Sequence, residues 1–239
     1  MTQSMQKKTR STSEPDTAIK SKPKVRSKAK ARSNSAAPAE LIGSICVFCG
    51  SGPGKNPAYA AAATTLGRTM AETGIRLVYG GGSLGLMGEV ARAVLQHGGK
   101  VTGIIPAFLS EKERMLRDVD ELIVTKDMHE RKRLMFERSD AFVALPGGIG
   151  TLEELVEQLT WSQLGRHDKP IVLANIAAFW DPFKALLTHM REDAFIRPGL
   201  EVRFTVVDTA DAILPAVLSA WKPDAPAVTM IDRDLTAKF

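Results

Sequence analysis

Two adjacent carboxylates, Glu153 and Glu154, follow directly on the run Pro146-Gly147-Gly148-Ile149-Gly150-Thr151-Leu152. A carboxylate held at a reacting centre can stabilise developing positive charge, orient hydroxyls or activate water. The residues ahead of the pair say what would be held there. An apolar run over 141–145 reads as a buried strand, and Leu152, Leu155, Val156 and Leu159 have helical spacing. A glycine-rich turn between strand and helix leaves backbone N–H groups unpaired at the positive end of the helix dipole, and that geometry binds a phosphate or another anion. Both carboxylates then fall within one helical turn of the anion, which points to chemistry on a phosphorylated small molecule. The same residues have a plainer reading. Thr151 and Glu154 match the capping box S/T-x-x-E/Q, in which the glutamate only satisfies the first backbone donors. A cap has no need of Gly-Gly-x-Gly before it, whereas close approach of a ligand to backbone does.

Three further groups bear on the same chemistry. Gly80, Gly82 and Gly85 satisfy G-x-G-x-x-G between a strand over 76–79 and a helix over 89–96. No acid lies about twenty residues on to hold a ribose 2′-hydroxyl, so the loop suits a mononucleotide better than a dinucleotide. Turning and helix–strand packing account for part of this cluster. The run Gly50-Ser51-Gly52-Pro53-Gly54-Lys55-Asn56 approaches a P-loop but its glycine spacing is one short, and Asn56 stands where a magnesium-binding hydroxyl is needed. The Ser51 hydroxyl and neighbouring amides can still meet a monophosphate. Finally, Arg131 and Lys132 lie in Met128-His129-Glu130-Arg131-Lys132, at the start of a helix over 129–138. Arg131 can clamp a phosphate or carboxylate bidentately, or it can belong to a solvated face with Lys132, Arg133 and Arg138. The four histidines are scattered and no metal-ligand spacing is present, so no metal is expected. Cys46 and Cys49 form C-x-x-C inside a strand, where residues three apart point to opposite faces, so they read as core thiols of a reducing compartment.

The elements that must position these groups alternate along the chain. Strands fit 44–49, 76–79, 100–105, 121–125, 141–145, 171–175 and 205–207. Helices fit from Asn56-Pro57 to Gly74 and over 89–96, 129–138, 152–164, 183–192 and 210–221. Near-continuous apolar strands alternating with helices predict an α/β fold: a single Rossmann-like parallel sheet with helices on both faces. Ligands of such sheets bind beyond the carboxyl ends of the strands, where all the glycine loops begin. The expected organisation is a basic, disordered tail over 1–40, a nucleotide-binding domain over 41–222 and a C-terminal extension over 223–239. Ten Lys/Arg against three Asp/Glu give residues 1–40 a net charge of +7, so with +5 overall the other 199 residues carry −2. The high pI therefore belongs to the tail, which is a solvated arm or a contact for nucleic acid, an anionic membrane or an acidic partner. No apolar run approaches a membrane span.

Together these runs resemble the LONELY GUY (LOG) family, the cytokinin-activating phosphoribohydrolases. The similarity spans residues 44–221. It rests on Cys46-Val47-Phe48-Cys49-Gly50-Ser51, Gly80-Gly81-Gly82-Ser83-Leu84-Gly85-Leu86-Met87-Gly88, Met128-His129-Glu130-Arg131-Lys132 and the glycine loop that runs into Glu153-Glu154. The run from Thr160-Trp161-Ser162-Gln163-Leu164-Gly165 to Lys169-Pro170 adds to it. The resemblance implies cleavage of the N-glycosidic bond of a cytokinin riboside 5′-monophosphate, or of AMP, to free base and ribose 5-phosphate, without cofactor or metal. It implies catalytic roles for Arg131 and Glu154. It implies substrate binding by Glu113, Lys132, Gly147, Gly148, Ile149, Gly150, Thr151, Leu152, Glu153 and Thr160, in a cytoplasmic homodimer or higher homo-oligomer. Residues 110–118 depart from the plant pattern, which bears on Glu113. Relatives sharing the glycine loop are often labelled lysine decarboxylases, but no pyridoxal-phosphate site is recognisable here. The alternative is a non-enzymatic nucleotide or molybdenum-cofactor carrier, since relatives of this fold bind that cofactor through similar loops. A carrier has no need of the Arg131 and Glu154 pair.

Overall fold

The strands expected from apolar runs form one sheet. The computed structural model describes residues 42–110 and 115–221. Its strands are β1 (Ser44–Phe48), β2 (Arg76–Tyr79), β3 (Val101–Pro106), β4 (Glu121–Thr125), β5 (Ala141–Ala144), β6 (Ile171–Ala174) and β7 (Thr205–Val207). All neighbours pair in parallel, in the order β4-β3-β2-β1-β5-β6-β7. Every residue of β3, β5 and β6 is buried, as strands covered on both faces must be.

The helices are α1 (Pro57–Glu72), α2 (Gly85–Gln96), α3 (Ala107–Ser110), α4 (Met128–Glu137), α5 (Ile149–Gln163), α6 (Asp181–Glu192) and α7 (Ile213–Ala220). Local chemistry sets α1: Asn56 caps it by accepting from the Ala58 N–H, Pro57 takes the first turn, and Gly74 follows its end at φ 73°. Helices α1, α2 and α7 bury their apolar stripes on one face of the sheet with Ile45, Val47, Leu77 and Val143. On the other face α4 and α5 pack Met135, Phe136, Leu155 and Leu159 against Phe48, Val78 and Phe142. Cys46 and Cys49, both free thiols, fall in these opposite layers.

Most boundaries shift by a residue or two, and some differ by more. The helices α2 and α5 each begin a turn earlier than periodicity placed them, at Gly85 and Ile149. The short α3 was not anticipated. The helix expected over 210–221 is a 3₁₀ turn, Ala210–Ala212, followed by α7. Residues 1–40 and 223–239, the expected tail and extension, lie outside the described residues. Among those described, no helix is long and apolar enough to cross a membrane.

Candidate active site

Strand order runs outward in both directions from β1 and β5, so the loops that leave their carboxyl ends diverge and open a crevice between them. Gly50, after β1, ties the two loops together. Its N–H donates to the Pro146 carbonyl at 3.1 Å. Its own carbonyl accepts the first-turn N–H groups of Leu86 (3.0 Å) and Met87 (3.3 Å), which closes the N-terminus of α2 with protein.

The N-terminus of α5 is open. Gly148 is its N-cap and no side chain caps it, so the first turn keeps donors without intrahelical partners. Gly148, Ile149 and Gly150 are exposed, and a Cβ built on Gly148 or Gly150 would meet nothing within 4 Å. Gly147 is glycine for another reason, since a Cβ there would collide with Thr151 Oγ1. This geometry overturns the capping-box reading, because Thr151 lies inside the helix and is not its cap. It also moves the carboxylates. Glu153 and Glu154 sit in the second turn, with Glu154 about 9 Å along the axis from the cap at 1.5 Å per residue.

Glu154 meets Arg131 there. Asp127 caps α4 by accepting the Glu130 N–H at 2.8 Å, and Glu130 reaches back to accept from the Lys126 N–H at 2.9 Å. That start turns Arg131 inward: it is 8% exposed, as is Glu154. Arg131 Nη1 lies 3.0 Å from Glu154 Oε1, and Nε donates to the Ile104 carbonyl at 3.2 Å. The solvated-face alternative therefore fails for Arg131. It holds for Arg133 and Arg138, whose half-exposed side chains pair with Glu137 and Glu121. Lys132 Nζ bridges Glu153 (2.7 Å) and Glu157 (2.9 Å). Burial disfavours its charge, but the two carboxylates outweigh burial and hold the ammonium above its ordinary value. Below the pair, Phe48, Lys132, Met135, Glu154, Glu157 and Gln158 line a crevice. Glu157 Oε2 and Gln158 Oε1 are buried in it without a hydrogen-bond partner among the described residues.

The other expected residues divide. Gly147 to Glu153, Lys132, Arg131 and Glu154 come together, with the exposed Ser51 on the neighbouring loop. Leu152 is half-buried and packs on the core beneath α5. Gly80, Gly82 and Gly85 are engaged with the protein itself: Gly80 against Arg131, Gly82 in an isolated bridge with Met115, and Gly85 against the Ser51–Gly52 backbone. Thr160 is exposed and its hydroxyl donates to the Val156 carbonyl at 2.7 Å, about 18 Å along α5 from the cap. Glu113 lies outside the described residues. Among those residues, no group of three or more His, Cys, Asp or Glu is placed to hold a metal. The roles of Glu157 and the Ile104 carbonyl were missed. The four-residue spacing from Glu153 to Glu157 carried the first signal, while a backbone carbonyl from β3 leaves none in sequence.

A parallel sheet whose switch point carries an uncapped helix start beside a buried Arg–Glu pair defines a Rossmann-like protein built to take a small anionic ligand. A family model described as "Possible lysine decarboxylase" matches residues 87–217. A protein of Oryza sativa subsp. japonica named "probable cytokinin riboside 5′-monophosphate phosphoribohydrolase" is 47% identical over 179 residues, which cover 75% of this chain and 80% of that protein. The cytokinin riboside 5′-monophosphate phosphoribohydrolase of Rhodococcoides fascians is 44% identical over 177 residues, covering 74% of this chain and 89% of that one. The chain belongs to the LONELY GUY (LOG) family. A solved structure, the molybdenum cofactor binding protein of Rippkaea orientalis, is similar at TM-score 0.56 and 23% identity, covering 75% of this chain and 98% of that one. That likeness is one of fold.

Proposed function

We propose that this protein hydrolyses the N-glycosidic bond of a cytokinin riboside 5′-monophosphate, or of AMP, releasing an adenine-type base and ribose 5-phosphate. The observation that carries the reading is the Glu154 carboxylate, nearly buried against Arg131 in the second turn below an open, glycine-lined helix start. The phosphate sits on the free N–H groups of Gly148 to Thr151, where the helix dipole favours a dianion. The ribose then lies along α5 toward Glu154. Breaking the bond from C1′ to the base builds positive charge on the sugar, which the carboxylate stabilises while it orients or activates the attacking water. Arg131 supplies the countercharge that fixes Glu154 in place. Binding the phosphate at a distance thus orients the scissile bond.

The enzyme works as at least a homodimer, with the site near the interface. Thr160 shares the exposed side of α5 with Ile149 (83% exposed), Val156 (41%) and Leu164 (51%). This apolar, exposed side, which carries Thr160 about 18 Å along α5 from the cap, suits contact with a second copy. Two buried free thiols fit a cytoplasmic setting. The test is incubation with AMP and with isopentenyladenosine monophosphate, followed by chromatography. Free base and ribose 5-phosphate support the reading. Intact nucleotides, with tight binding of a pterin instead, would replace it with the carrier.

A further inference from the structure

Gly80 follows directly on β2, and its backbone does not require glycine. Gly81 and Gly85 have φ of 78° and 56°, but Gly80 is not in the left-handed region. Space is what excludes a side chain. A Cβ built on Gly80 would stand 2.5 Å from Arg131 Nη2 and 3.0 Å from Met87 Sδ, where relaxed contact between carbon atoms needs roughly 3.5–4.0 Å. Met87 can yield, because a thioether side chain has several soft torsions. Arg131 cannot move without loss: its Nε is held by the Ile104 carbonyl and its Nη1 by Glu154, both side chains being nearly buried.

We propose that Gly80 is a positioning residue, whose absent side chain is the slot that seats the Arg131 guanidinium against Glu154. The second glycine loop then acts on the reaction through Arg131 and not by gripping phosphate. The closed N-terminus of α2 agrees, since its first-turn donors already serve Gly50. The proposal rests on the roles given above to Arg131 and Glu154. A shift of about 1 Å in a group that orients the reacting centre costs on the order of 10²-fold in rate.

The test is a double-mutant cycle of Gly80→Ala and Arg131→Ala in the full chain, read by thermal unfolding and by kcat and KM on AMP. Gly80→Ala is expected to lower kcat about 10²-fold with KM little changed. Its cost in melting temperature should shrink in the Arg131→Ala background, where no guanidinium is left to collide. Gly80→Ala failing to fold while the double variant folds leads to the same conclusion. A raised KM with normal kcat, an equal loss of stability in both backgrounds, or a double variant that fails to fold where Arg131→Ala alone folds overturns it. The unfolding half of the cycle uses no substrate. It therefore stands even where the wild-type protein releases no base, an outcome that sinks the assigned reaction alone.

Discussion

Glu154 on α5 and Arg131 on α4 approach to 3.0 Å although they are far apart in sequence, and each is nearly buried. Removing one member of such a pair leaves the other as an uncompensated charge, so truncation confounds catalysis with stability. The isosteric change is cleaner. Glu154→Gln keeps the shape and a hydrogen-bonding oxygen for Arg131 but removes the negative charge. Base release is expected to fall by at least ~10²-fold with the melting transition still cooperative. Turnover within a few-fold of wild type would remove Glu154 from the mechanism. Both residues were legible as types in motifs. Their partners were less so: the Ile104 carbonyl has no side chain to read, and the steric reason for Gly80 exists only once β2 and α4 are side by side.

At the scale of elements, the decisive difference lies between two glycine-rich helix starts. Both read alike in sequence, yet one is sealed by the Gly50 carbonyl and the other is left open. Residues with poor helix propensity concealed where each helix begins, because tertiary packing and not local preference sets those turns. The open start can be tested with one donor. Gly148 is extended, at φ −90° and ψ −159°, and so lies outside the helical region that a following proline disfavours. Ile149→Pro at the first helical position should therefore fold normally while deleting one N–H. A hydrogen bond to a charged group is worth roughly 1.5–3 kcal/mol, so KM for AMP is expected to rise about 10- to 100-fold. An unchanged KM would move the phosphate elsewhere. The connection from α5 to β6 carries a second consequence. The His167 ring packs on Phe136 and Phe142, its Nε2–H donates to the Gln158 carbonyl, and Nδ1 accepts the Lys169 N–H. Burial lowers its pKa to about 4. The unfolded chain, at the ordinary value near 6.5, takes up this proton first. Stability is thus full above pH 6.5 and is lost progressively as pH falls toward 4, by at most about 3 kcal/mol. His167→Gln should flatten that part of the stability profile in denaturant titrations. An unaltered slope would assign the acid loss to other groups.

For the whole molecule, the parallel α/β class followed from strands that are apolar along their entire length, because both faces of β3, β5 and β6 are covered. The order of those strands was not legible, since each crossover helix can return to either side of its predecessor. The switch point between β1 and β5, and with it the meeting of Gly50, Pro146 and α5, had to come from the structure. Assembly belongs to this scale too. Sedimentation equilibrium is expected to give a dimer or a higher homo-oligomer, and Leu164→Asp on the exposed side of α5 should weaken it together with base release. A monomer with full activity would place Thr160 outside the site. The account as a whole is tested most directly by the crystal structure of the Glu154→Gln variant holding uncleaved AMP. The phosphate is expected within hydrogen-bond distance of the N–H groups of Gly148 to Thr151, with C1′ facing Gln at position 154 and the glycosidic bond intact. A phosphate seated at α2, or an anomeric carbon turned away from that side chain, would contradict it.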